Sequence, residues 1–193
     1  MAINLKEKIL SKTPKNGKYY LVAIDGRGGA GKTTLTKYMS SLLPDFIFIN
    51  GDGYFEPTPN SVAWGEFNNE RFELEVIEPL RNGKNKIAYR PYNWHKKPPI
   101  TERIINIDKG ICIERSFIFS FDLDWDLKIW LETPPGVALE RAQVRDQMPL
   151  EQGLKAWLEV WQPMEDKHIN KIKPLETADI VINGTRPFEE QIL

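Results

Sequence analysis

Gly26-Arg27-Gly28-Gly29-Ala30-Gly31-Lys32-Thr33 fits the pattern G-x-x-x-x-G-K-[ST]. In that pattern a glycine-rich turn lets backbone N–H groups point inward around phosphate oxygens, where side chains would collide. Before it stands Tyr19-Tyr20-Leu21-Val22-Ala23-Ile24-Asp25, an apolar run that reads as a buried parallel strand. After it, Thr34-Leu35-Thr36-Lys37-Tyr38-Met39 and Leu42-Leu43 space their apolar groups as a helix does. Strand, loop, helix is the context this motif needs, because the helix N-terminus adds its partial positive charge to the cradle. Gly26 to Thr33, with Thr34, are therefore the expected nucleotide-phosphate contacts. Lys32 is placed to reach the β- and γ-phosphates and the Thr33 hydroxyl to ligate Mg²⁺. Gly26, Gly28 and Gly31 also satisfy G-x-G-x-x-G, with Asp52 near the position of a ribose-binding acid. A dinucleotide fold has no need of Lys-Thr at the helix start, so the phosphate-loop reading is preferred.

The rest of the chain extends this pattern. Phe46-Ile47-Phe48-Ile49 reads as a second strand ending at Asn50-Gly51-Asp52-Gly53. Residues 69–81 place Phe72, Val76, Ile77 and Leu80 on one helical face, with Asn82-Gly83 as a stop. Ile87 to Asn93 is short and extended, and Arg103 to Ile107 alternates as an edge strand would. Gly110-Ile111-Cys112-Ile113-Glu114, Leu127-Lys128-Ile129-Trp130-Leu131 and Ala178-Asp179-Ile180-Val181-Ile182 read as further strands. Helices are expected over Val137–Arg145, after Pro134-Pro135, and over Leu150–Asn170. Strands separated by helices predict a three-layer α/β/α sandwich with a mostly parallel sheet. Ligands then sit at the carboxyl ends of the strands, where Asp25, Asp52, Glu114 and Glu132 all fall.

Composition narrows the class. The 193 residues suit one domain, and a formal net charge of -1 gives no basic field to hold nucleic acid. No stretch approaches bilayer-spanning length, and Met1 to Leu10 reads as a short amphipathic helix without a signal-peptide core. The single cysteine, Cys112, cannot form a disulfide within the chain and suits packing in a reducing cytoplasm. A homo-oligomer is compatible with all of this.

The order of these motifs resembles the P-loop nucleoside kinases of the uridine kinase type, and more loosely phosphoribulokinase and pantothenate kinase. The resemblance runs from Ile24-Asp25-Gly26 through Thr34 and takes in Asp52 followed by Tyr54. It continues with the strand into Glu114, Asp126-Leu127-Lys128-Ile129, Leu139-Glu140-Arg141, Arg145-Asp146 and the closing strand. It covers most of the chain. It implies one kinase domain spanning 1–193, with an acceptor-binding insertion at about 54–107 and a lid at about 136–150. It also implies ATP and Mg²⁺ as cofactors and a small-molecule hydroxyl acceptor, a nucleoside of uridine or cytidine kind. Departures cluster on the acceptor side. Arg115 follows Glu114 where the family commonly has glycine, Gly53 interrupts the acid-aromatic run, and Tyr89-Arg90-Pro91-Tyr92-Asn93 stands where a tyrosine-aspartate pair is common.

On this reading Asp52 accepts the proton of the acceptor hydroxyl. Glu114 and Thr33 hold the metal, and Asp25 supports the loop backbone or the metal's water shell. Lys32, Arg141 and Arg145 stabilise transferring charge, the two arginines lying on one helix face. Tyr54, Tyr89, Arg90 and Tyr92, with Asp52 and Glu114, are the expected acceptor contacts, and Trp94 and His95 could join them. Arg90, His95, Lys96 and Lys97 form a basic loop that would suit an anionic acceptor or a solvated surface. His168 reads as a surface residue, Trp157 and Trp161 as core or a subunit contact, and Asn183 to Pro187 as an adenine-side loop. Two alternatives stay open. One is a kinase for another metabolite, such as pantothenate, a sugar or a sugar phosphate. The other is a nucleotide-dependent switch or ATPase acting through a protein partner, although no N-K-x-D element is present.

Overall fold

A computed structural model describes residues 2–56, 66–92, 101–146 and 154–193. Its centre is a parallel sheet of β1 (Tyr20–Gly26), β2 (Phe46–Asn50), β7 (Gly110–Glu114), β8 (Leu127–Glu132) and β9 (Ile180–Asn183). The spatial order is β2-β7-β1-β8-β9. All four pairings are parallel, with Ile24 opposite both Glu114 and Ile129, and Asn50 opposite Glu114.

Strand β1 is buried along its whole length because both of its faces are covered. Tyr20, Val22 and Ile24 pack with Leu5, Ile9, Leu35 and Met39 from α1 (Leu5–Leu10) and α2 (Lys32–Leu42). Tyr19, Leu21 and Ala23 pack on the other face with Phe72, Val76, Ile77 and Leu80. Those four come from α3 (Asn69–Phe72), a wider π-type turn at Glu73–Ile77, and α4 (Glu78–Arg81). Two apolar layers on one sheet give the expected three-layer sandwich. Burial of aliphatic and aromatic side chains, at about 1.5–3 kcal/mol each, supplies most of its driving force.

Two small antiparallel ladders stand apart from this sheet. β3 (Phe55–Glu56) pairs with β4 (Glu66–Phe67), and β5 (Lys86–Tyr89) with β6 (Arg103–Asn106). The 103–107 segment is thus half of a separate hairpin rather than an edge of the main sheet. Its alternation reflects one face resting on the second core, where Ile105 and Ile107 pack. After β8, α5 (Pro135–Asp146) begins at the expected prolines. A second π-type turn, Trp157–Trp161, leads into α6 (Gln162–Ile172), followed by α7 (Pro174–Thr177) and β9. Parts of the expected insertion and lid, and Trp94, His95, Lys96 and Lys97, lie outside the described residues.

Candidate active site

The parallel register brings the ends of β1, β2 and β7 to one edge of the sheet, and the site is built there. β1 runs into the glycine loop. Gly29 and Gly31 hold φ of +75° and +103°, which residues with a side chain rarely adopt. A Cβ on Gly29 would also lie 2.0 Å from the Ala138 carbonyl oxygen of α5. Gly31 caps α2 without a side-chain hydrogen bond, which leaves the first amides of the helix for an anion.

Lys32 is the first residue of α2 and is buried. Its Nζ donates to the carbonyls of Gly26 and Arg27 and to the Ser116 hydroxyl, each at 2.9 Å. The ammonium is thereby held across the loop. One turn position on, the Thr33 hydroxyl donates to Glu114 Oε1 at 2.8 Å. Glu114 ends β7 almost fully buried, and its Oε2 has no hydrogen-bond partner. Burial first, and the nearby Asp52 second, push its carboxyl up to about 7. A buried carboxylate oxygen without a partner beside a threonine hydroxyl is a donor set that suits Mg²⁺, a cation that prefers oxygen ligands and keeps part of its water shell. No cluster of three or more His, Cys, Asp or Glu that could hold a metal occurs among the described residues.

Asp52 sits in a 3₁₀ turn, Gly51–Tyr54, directly after β2. Asn50 Oδ1 accepts the Asp52 N–H at 2.7 Å, so the neighbour satisfies the turn and the described residues donate no hydrogen bond to the Asp52 carboxylate. The flanking glycines serve packing. A Cβ on Gly51 would lie 2.8 Å from Arg115 Cβ, and one on Gly53 would lie 2.6 Å from Pro91 Cβ. Their smallness admits neighbouring chain rather than ligand.

Asp25 supports the loop, one of its two expected roles. Its Oδ1 accepts from Gly26 N (2.7 Å) and Phe117 N (3.0 Å), and its Oδ2 from Phe119 N (3.0 Å). The fourth partner corrects the reading of His168 as a surface residue. That imidazole is buried, with Nε2 3.0 Å from Asp25 Oδ2 and Nδ1 3.1 Å from the Ser120 hydroxyl. Helix periodicity marks which face a residue lies on but not what the chain lays against that face.

Lys32, Thr33, Thr34, Asp52, Glu114, Arg141 and Arg145 line one cavity of about 540 Å³, together with Gly28, Gly29 and Gly31. Arg141 and Arg145 share a face of α5, and Arg141 Nη1 donates to the Gly184 carbonyl at 2.8 Å. Gly184 begins the loop after β9, so Arg141 ties that loop to the cavity wall, while none of Asn183 to Pro187 lines the cavity itself. Gly26 and Ala30 are buried beneath the loop, and Arg27 turns to Glu165 (3.4 Å) and Asp166 (2.5 Å).

Four expected acceptor contacts are not on the cavity wall. Tyr54 is fully buried and its hydroxyl donates to Glu75 Oε2 at 3.0 Å; burial, then the Glu75 charge, raises its phenol far above the usual range. Tyr89 is core, and Tyr92 is half-buried with its N–H on the Gly53 carbonyl. Arg90 clasps Glu75 Oε1 at 2.7 Å and is exposed on its other side. Burial raises the Glu75 carboxyl, but hydrogen bonds from Arg71 and Arg90 outweigh it and hold the group below the ordinary value. Their aromatic and basic character, which suggested a pocket, instead knots the insertion to the second core.

Arg115 does not pair with Glu114. Its guanidinium carbon lies 3.2 Å from the Phe67 ring centroid, between Phe72 and Phe121. Nη2 donates to Asn69 Oδ1 at 2.7 Å, and burial pulls its pKa down to about 9.

Phe55, Ser116, Phe117, Trp157, Trp161 and Glu165 also line the cavity, and the sequence reading assigned none of them to the site. The i, i+4 tryptophan pair was a signal, but it fits a buried helix face equally well.

No family model matches the chain. It is 26% identical over 190 residues to the uridine kinase of Borrelia turicatae, covering 84% of this chain and 85% of that one. It is 24% identical over 181 residues to nicotinamide riboside kinase 1 of Rattus norvegicus, with 90% of each chain covered. Among solved structures, one described as a possible uridine kinase from Bacillus stearothermophilus superposes with a TM-score of 0.62 at 18% identity, over 92% of this chain and 98% of that one. The resemblance to P-loop nucleoside kinases and the α/β fold class are borne out by these relatives.

Proposed function

We propose that this chain is an ATP-dependent kinase that transfers the γ-phosphoryl group to a hydroxyl of a nucleoside-type small molecule. The observation that carries the reading is the convergence in one cavity of the phosphate loop, Thr33 with the half-satisfied Glu114, and Asp52. The curated relatives, named as kinases of two nucleosides, support a phosphotransferase with an alcohol group as acceptor.

The loop amides and Lys32 bind and orient the polyphosphate. Thr33 and Glu114 would hold Mg²⁺, which would neutralise charge on the phosphates. Asp52, on the cavity wall beyond β2, accepts the proton of the attacking hydroxyl. Arg141 and Arg145, projecting from α5 over the loop, stabilise charge on the transferring group and form the base of a lid at about 136–150. Acceptor discrimination falls to the segment about 54–107 and the other cavity walls. The chain acts in the cytoplasm without nucleic acid or membrane; no described helix is long and apolar enough to cross a bilayer.

The test is ADP formation from Mg-ATP across nucleosides, sugars, pantothenate and sugar phosphates, with Lys32→Ala alongside. Acceptor-dependent ADP that disappears in Lys32→Ala is expected. ATP binding with no turnover on any acceptor would overturn the kinase reading in favour of a nucleotide switch.

A further inference from the structure

Gly28, in the phosphate loop, has one N–H to give, and the chain itself takes it. Glu165 of α6 accepts it on Oε1 at 2.6 Å, short for an amide donor, as a bond to a charged acceptor is. Glu165 is 6% exposed and lines the same cavity as Gly28, Gly29, Gly31 and Lys32. Its Oε2 lies 3.4 Å from Arg27 Nη1, while Arg27 Nη2 turns to Asp166. A carboxylate from α6 therefore stands on the loop whose amides are expected to meet phosphate.

The placement is enforced from two sides. The Trp157 ring meets the loop so closely that a Cβ on Gly28 would lie 2.5 Å from it. One turn beyond Glu165, His168 Nε2 lies 3.0 Å from Asp25 Oδ2. These contacts hold the Trp157–Trp161 turn and α6 against the loop, so Glu165 reaches Gly28 from a fixed backbone. Its charge also reaches Lys32. Burial raises the Glu165 carboxyl, and the Gly28 amide, then Lys32 and Arg27, oppose that rise. Lys32 in turn donates to the Gly26 and Arg27 carbonyls and to the Ser116 hydroxyl. The Gly28 amide and the lysine expected at the polyphosphate are thus both satisfied by oxygens of the chain.

Two anions cannot share this position. The Gly28 amide carries one hydrogen, and a phosphate oxygen that takes it displaces Glu165 Oε1. A phosphate that binds beside it instead sets its charge against a buried carboxylate, where water screens little. Either way Glu165 opposes polyphosphate, and more so as the ligand brings more charge to the loop. A residue that only braced the loop would act in the opposite direction, since its loss would slacken the cradle and weaken binding.

We propose that Glu165 is an internal competitor for the phosphate loop: its carboxylate occupies the anion position at Gly28, weakens the binding of nucleotide polyphosphates and eases their release. This rests on the kinase reading above and adds a control of nucleotide affinity to that same site.

Glu165→Gln tests it, because the amide keeps an oxygen for the Gly28 N–H and removes only the charge. Calorimetric titration with ADP and with a non-hydrolysable ATP analogue, both in Mg²⁺, should give a Kd at least fivefold lower for Glu165→Gln than for the parent. Glu165→Ala, which frees the Gly28 amide altogether, should shift Kd in the same direction. Adenosine, which brings no phosphate, should bind parent and variants within twofold. Asp166→Asn removes an exposed carboxylate from the same Arg27 and controls for net charge; its Kd for ADP should stay within twofold of the parent. Unchanged or weaker nucleotide affinity in both Glu165 variants would overturn the proposal and leave the kinase reading standing. So would a gain that is equal for adenosine and ADP, or equal in Asp166→Asn. Failure of the parent and every variant to bind either nucleotide would instead remove the kinase reading and the competitor role with it.

Discussion

His168 Nε2 and Asp25 Oδ2 lie 3.0 Å apart, both almost fully buried, and join α6 to the last residue before the phosphate loop. Asp25 is an acceptor here, so Nε2 carries a proton, and the Ser120 hydroxyl lies 3.1 Å from Nδ1. With Gly26, Phe117 and Phe119 donating their amides to the same carboxylate, Asp25 ties together the loop, the segment after β7 and α6. Removing the imidazole leaves a buried carboxylate short of one donor, which costs about 1–3 kcal/mol. His168→Ala is therefore expected to lower the unfolding free energy by that amount, whereas Ser120→Ala, at an exposed position, lowers it by less than about 1 kcal/mol. Denaturation curves followed by tryptophan fluorescence decide it, and equal effects of the two variants would remove the anchoring role of Asp25–His168.

Asp52 carries the proton-transfer assignment. General-base catalysis contributes about 10²–10⁴-fold, so Asp52→Asn should lower kcat by at least about 100-fold. Nucleotide affinity should stay within about threefold, because the loop and Lys32 are untouched. Steady-state turnover with titration calorimetry of a non-hydrolysable ATP analogue separates the two quantities. A kcat close to that of the parent would take the base role from Asp52.

Glu114 gives a pH dependence of definite sign. Burial raises its carboxyl from 4.5 to about 7, so the folded chain binds this proton more tightly than the unfolded chain. Its contribution to stability is then most favourable below about 4.5 and falls as pH rises to about 7, beyond which the loss is complete. In EDTA, the stability of the parent relative to Glu114→Gln should decline between pH 5 and pH 8. Mg-nucleotide should restore more stability at pH 8 than at pH 6, since the ionised carboxylate then gains its partner. Thermal unfolding in both conditions reads this out, and a difference between the two proteins that does not change with pH would contradict the cause assigned to the shift.

Gly29 has both a steric and a conformational reason to be glycine. A methyl group there meets the Ala138 carbonyl at 2.0 Å and must be carried at φ +75°. Backbone strain of about 1–3 kcal/mol and overpacking of similar size predict that Gly29→Ala destabilises by at least about 2 kcal/mol. Because the clash is with α5, the same variant should also weaken nucleotide binding at least tenfold. A calorimetric titration with native affinity would show that α5 moves aside at no cost.

The fold class lay open in the chain because its signals are local. The apolar run Tyr19 to Asp25, the glycine spacing and the helix-period residues after Lys32 each depend on neighbours in sequence. Strand periodicity likewise placed Glu114 and Asp52 at strand ends, and the parallel register then set them on one edge of the sheet. The glycine loop, the meeting of Thr33 with Glu114 and the arginine face of α5 were legible for that reason.

Tertiary structure alone decided what each polar or aromatic side chain faces. Tyr54, Tyr89 and Arg90 carry the chemistry of a pocket, yet packing of the insertion spends them on the second core and on Glu75. Trp157, Trp161, Glu165 and His168 belong to a helix more than a hundred residues from the loop they touch. Their 3.6-residue period identified a face but held no information about the partner. The sequence by itself determined the architecture and the phosphate-binding end of the site, since both arise from short-range backbone geometry. The wall of Trp157, Trp161 and Glu165 was decided only when α6 docked on Gly28 and Asp25, because contacts between distant segments depend on the packing of the whole sheet.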